Sequence, residues 1–100
     1  MIKLTPKQFF QQLGDLFKLS DRNVEKLIQK GDTAFESGQL LFAASCYVDA
    51  YGMFTRMHDP GVVAFQLALA KKLVETYSEI GDSVEINFWK ETVVELQRSM

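Results

Sequence analysis

Residues Gly31 to Ala50 read GDTAFESGQLLFAASCYVDA, and this stretch decides the fold. It is the end of one helix, a tight turn at Ser37-Gly38, and a second helix folding back. Gly31 and Ala34 are small, which lets a neighbouring helix approach closely, and Phe35 adds bulk near the helix end. Gly38 can take the left-handed backbone conformation that stops a helix without a Cβ clash. Ala43, Tyr47 and Ala50 then recur at spacings of four and three, a small-large-small stripe on one face of the returning helix.

The order of these residues resembles a tetratricopeptide repeat, a helical hairpin that holds other proteins. Gly31, Ala34-Phe35, Gly38, Ala43, Tyr47 and Ala50 follow the family's sequence of small, aromatic, turn glycine, alanine, aromatic and alanine. Leu27 stands where a tryptophan is common, and no proline follows promptly after Ala50. The resemblance implies an all-α fold of stacked antiparallel hairpins and a protein-binding role.

Working outward, the preceding residues read as a leading helix over 5–19. Thr5 is its cap, Pro6 its first helical residue, and Gln8 completes a capping box. Phe9, Phe10, Leu13, Leu16 and Phe17 form one broad apolar face. Ser20 or Asp21 caps the next helix, which carries Val24, Leu27, Ile28, Gly31, Ala34 and Phe35 at helical spacing. The returning helix, about Leu40 to Met57, is apolar nearly all round. One face has Leu40, Ala43, Ala44, Tyr47, Ala50, Tyr51 and Phe54, another Phe42, Cys46 and Met53. A helix with two apolar faces is expected to be covered from both sides.

Asp59-Pro60 marks the start of a further helix running to Ile80, with Val63, Leu67, Ala70, Leu73, Val74, Tyr77 and Ile80 expected inward. Gly81 ends it, and Asp82-Ser83-Val84-Glu85 is a capping box for a last helix that buries Ile86, Trp89, Val93 and Leu96. Tyr77 and Gly81 echo Ala34 and Gly38, which makes residues 59–98 a second, degenerate hairpin after the first at 20–57. No alternating strand pattern appears. The expected architecture is one all-α domain over 1–100, with about five helices.

Composition narrows the function. A chain of 100 residues with 47% apolar content forms one core, and a net charge of -2 gives no footprint for nucleic acid. Cys46 is the single cysteine, so an internal disulfide is impossible, zinc is not expected, and a reducing cytoplasm is the expected location. MIKLTPKQFF has no long apolar run, so no signal peptide is expected, and Leu40 to Tyr51 is too short and polar to span a bilayer. His58, the only histidine, reads as a joint residue beside the Asp59 cap. Cys46 lacks an activating charge nearby, and the glutamates are spaced like exposed helix faces. The expectation is a noncatalytic protein without metal or cofactor.

Repeat hairpins bury their apolar faces against neighbours, and about three are needed for a self-sufficient stack. Phe9, Phe10, Phe17, Phe42, Met53, Phe65, Phe88 and Trp89 exceed what two hairpins cover. Either the leading helix is a cap, or a partner or second copy covers the remainder. By the resemblance, the concave surface includes Glu25, Ile28, Asp32 and Phe35 from the first hairpin and Lys71, Glu75 and Ser78 from the second. Phe9, Phe10 and Phe17 join them as candidate partner-binding residues. Ile28 and Asp32 replace the basic and amide residues by which some members clamp acidic tails, so an amphipathic or somewhat basic partner is expected. Size and pattern also resemble the small type III secretion chaperones built from such repeats. The function expected is a cytoplasmic chaperone or adaptor for a hydrophobic segment of a small secreted or complex-forming protein. The alternatives are a structural subunit or homo-oligomeric scaffold, and a trafficking-type helical bundle.

Overall fold

Two left-handed glycines stand at the turns of two helical hairpins. The computed structural model describes residues 22–57 and 61–99. Helix α1 spans Arg22–Glu36, α2 Leu40–Thr55, α3 Val62–Ile80 and α4 Ser83–Arg98. No strand occurs among the described residues. The expected leading helix at 5–19 and the His58-Asp59-Pro60 joint lie outside the described residues.

Gly38, with φ of 81°, ends α1. Its amide donates to the Phe35 carbonyl at 3.1 Å, and the Gln39 amide reaches the Ala34 carbonyl at 2.8 Å. Carbonyls left over at the helix end are thereby satisfied. Gly81, with φ of 88°, does the same for α3, where its own amide and that of Asp82 both donate to the Tyr77 carbonyl. Asp82 then opens α4 as expected, its Oδ1 accepting from the Glu85 amide at 3.2 Å.

The helices pack in chain order, α1 on α2, α2 on α3 and α3 on α4. Tyr47 of α2 lies fully buried against Gly31 of α1, where an added Cβ would stand 2.8 Å from the ring. The small residue at 31 is thus the space that the aromatic at 47 fills. On the far side of α2, Phe54 stacks on Phe65 of α3 with ring centroids 5.1 Å apart. Tyr51 meets Trp89 of α4 edge to face at 5.1 Å, which ties the two hairpins together. Of the interior face expected on α2, Ala43, Ala44, Tyr47, Ala50 and Phe54 are buried, while Leu40 and Tyr51 are half-buried.

Helix α3 differs from its expected phase. Val62, Phe65 and Leu69 enter the core, whereas Val63 and Leu67 are half-buried. Ala70 and Leu73 are buried as expected, with Lys72 and Thr76 beside them. Apolar residues surround most of this helix, so periodicity alone does not choose between adjacent stripes. Thr76 is tolerated in the interior because its hydroxyl donates to the Lys72 carbonyl at 2.8 Å. On α4, Trp89 is buried and Ile86, Val93 and Leu96 are half-buried. No described helix is long and apolar enough to cross a membrane.

Candidate functional site

The residues expected to form a concave surface separate into two environments. Phe9, Phe10 and Phe17 lie outside the described residues. Glu25, Lys71, Glu75 and Ser78 are exposed, and the Ser78 hydroxyl donates to the Val74 carbonyl of its own helix at 2.6 Å. Ile28 and Asp32, by contrast, are interior, and Phe35 is half-buried. What remains accessible of this set is mostly polar.

Two polar contacts join these helices, one between α1 and α2 and one between α1 and α3. The Tyr47 hydroxyl donates to Asp32 Oδ1 in the interior. Lys72 lies 3.5 Å from the centre of the Phe35 ring, with its ammonium in ion-pair contact with Glu75 at 3.3 Å. Only 7% of the Lys72 side chain is exposed, so its aliphatic stem packs in the core while its charge rests on the ring and the carboxylate. Asp32 follows buried Ile28 by four residues and Lys72 follows buried Leu69 by three, so spacing admits both to the interior and only their polarity argued against it.

Burial first, and the hydrogen bond to Asp32 second, push the Tyr47 phenol far above its usual range. Burial first and Asp49 second push the Cys46 thiol up, with Lys30 pulling the other way. Both groups are therefore held protonated, Tyr47 as a hydrogen-bond donor and Cys46 as a small apolar side chain. Among the described residues, no three His, Cys, Asp or Glu side chains come together as a metal set.

The exposed apolar surface lies elsewhere. Leu41 is 72% and Phe42 54% exposed on the outer face of α2, with Val48 beside them. Val84 is 75% and Phe88 56% exposed on the outer face of α4, with Val94 further along. Phe42 and Phe88 were among the aromatics in excess of what two hairpins cover, and the structure leaves both at the surface. Phe65 and Trp89 from the same group are buried, and Met53 is half-buried. Trp89 supports the α4 face from below, with Phe88 edge-on against it at 5.0 Å. Its indole Nε1 is buried without a hydrogen-bond partner among the described residues.

Comparison of the chain with protein-family models, with curated proteins and with solved structures finds no match.

Proposed function

We propose that this chain is a noncatalytic protein-interaction module, a small chaperone or adaptor that holds a hydrophobic or amphipathic segment of a partner. The observation that carries this reading is the pair of large apolar side chains Val84 and Phe88, one turn apart and exposed at the start of α4, the last helix of the row. The last element of a helical stack ordinarily turns a polar face outward. Large apolar side chains in that place favour a protein contact.

The tetratricopeptide-like arrangement belongs to the same proposal. It is supported by Tyr47 seated on Gly31 and by left-handed stops at Gly38 and Gly81, 43 positions apart. Secretion-chaperone activity is its narrowest form: one small, aggregation-prone client, bound reversibly in the cytoplasm.

The test is the mass of the purified chain by light scattering over a dilution series, with and without an amphipathic helical peptide, for the natural sequence and for Phe88→Asp. Phe88 is exposed, so circular dichroism of the variant should match the parent. Uptake of the peptide by the parent and its loss in the variant are expected. A chain that stays a monomer and takes up no peptide overturns the reading, and a permanent assembly of fixed mass replaces the chaperone by a structural subunit.

A further inference from the structure

Val84, Phe88, Glu91 and Glu95 follow one another on α4 at intervals of four, three and four, the spacing of a single stripe along a helix, and all four are exposed. The stripe runs roughly 16 Å and changes character midway. Its first half is apolar. Its second half is two carboxylates one turn apart.

The apolar half has a backed anchor. Phe88 stands edge-on against buried Trp89 at 5.0 Å, and Trp89 in turn meets Tyr51 of α2 at 5.1 Å. A ring supported in this way offers contact area with little freedom left to lose on binding.

The acidic half stands against the preferences of its own helix. Glu91 and Glu95 carry like charge four residues apart, which destabilises an isolated helix. Glu95 also lies in the last turn, where the negative end of the helix dipole disfavours an acid. Arg98, exposed in that same turn, carries the charge that this end favours. Among the described residues neither glutamate is held in an ion pair. Lys90 is turned about 100° around the helix from Glu91 and so stands off the stripe.

The complement of this stripe is a helix with an apolar pair at one end of its contact face and cations at the other. Lysine or arginine opposite Glu91 and Glu95 would relieve their mutual repulsion. An acidic helix, an anionic lipid surface or a nucleic-acid backbone would add to it. We propose that the outer stripe of α4 docks a basic amphipathic helix of another protein, its apolar side chains on Val84 and Phe88 and its cations on Glu91 and Glu95. The proposal rests on the interaction-module reading and adds to it the charge of the partner.

Labelled helical peptides the length of α4 test it by fluorescence anisotropy. One carries leucines along one half of a face and lysines along the other, its twin has glutamates in place of the lysines, and both are made in either chain order. The natural chain should bind the lysine peptide about tenfold more tightly than its twin at low salt, a preference that shrinks as salt is raised. Glu91→Gln with Glu95→Gln should bring the two peptides within about twofold of each other, and Phe88→Asp should lose both. Removing two exposed charges elsewhere, Glu36→Gln with Asp49→Asn, should leave the preference intact. All of these positions are exposed, so circular dichroism should be unchanged throughout. Equal uptake of the two peptides by the natural chain overturns the proposal while the interaction-module reading stands. A preference that outlasts the loss of Glu91 and Glu95, or falls equally in the control pair, does the same. A monomer that binds neither peptide overturns both, and self-association that excludes the lysine peptide assigns the stripe to a second copy instead.

Discussion

Gly31 and Tyr47 form a size pair, and the pair is sensitive to a single methyl group. A Cβ at 31 would sit 2.8 Å from Tyr47 Cε1, and the ring has little room to retreat because its hydroxyl is committed to Asp32. Gly31→Ala gains helix propensity but overpacks the α1–α2 contact, and a net loss of about 1–3 kcal/mol is expected in urea denaturation. Tyr47 also makes the fold sensitive to alkali. Its folded pKa is raised, so its contribution is complete below the unfolded tyrosine value of about 10. As the pH rises past that value toward the folded pKa, the unfolded chain releases the phenolic proton while the folded chain keeps it, and stability falls. Tyr51 and Tyr77 are shifted in the same direction, burial being the first cause in each. Urea midpoints should decline above about pH 10, and Tyr47→Phe should make the decline shallower. At neutral pH the same variant should cost about 1–3 kcal/mol, because the buried Asp32 carboxylate loses its phenolic donor.

At the level of elements, the hairpin ends were the most legible part of the chain. Gly38, Gly81 and the Asp82 cap stand where the sequence placed them, because a left-handed stop and an N-cap are local chemistry. Gly81→Ala puts a Cβ into the left-handed region and should cost about 1–2 kcal/mol. Asp82→Ala should cost about 1 kcal/mol through the lost cap, and thermal melts of the two variants check both values. The phase of α3 was less legible. Val62, Phe65 and Leu69 compete with Val63 and Leu67 for the interior, and the outcome depends on Phe54 receiving Phe65, a contact between helices that no local pattern records. Asp32 shows the same limit from the other side. Its spacing matched a surface position of the repeat, but Tyr47 offers a buried donor fifteen residues away, which makes the interior tenable for a carboxylate. The apolar surface was anticipated by residue, in Phe42 and Phe88, rather than by place.

For the molecule as a whole, the two hairpins are joined by α2 on α3 and by the contact of Tyr51 with Trp89. Trp89→Ala removes the largest side chain that α4 buries, and a loss of about 3–5 kcal/mol is expected. Set against the roughly 5–15 kcal/mol that holds a domain of this kind together, that is a large share, and it falls on α4 while the contact of α1 with α2 is untouched. Circular dichroism melts should then show two transitions in place of one, and a single transition at a lower midpoint would mean that the hairpins cannot unfold separately. Trp89 has a further consequence, since it is the single tryptophan of the chain. It is shielded from water and has the Tyr51 ring 5.1 Å away across the hairpin boundary. Its emission in the native chain should be blue-shifted, and light absorbed by Tyr51 should leave through the indole by energy transfer. Separation of the hairpins would restore tyrosine emission and shift the indole band to the red. The protein therefore carries an intrinsic optical gauge of the joint between its halves, readable without any attached label.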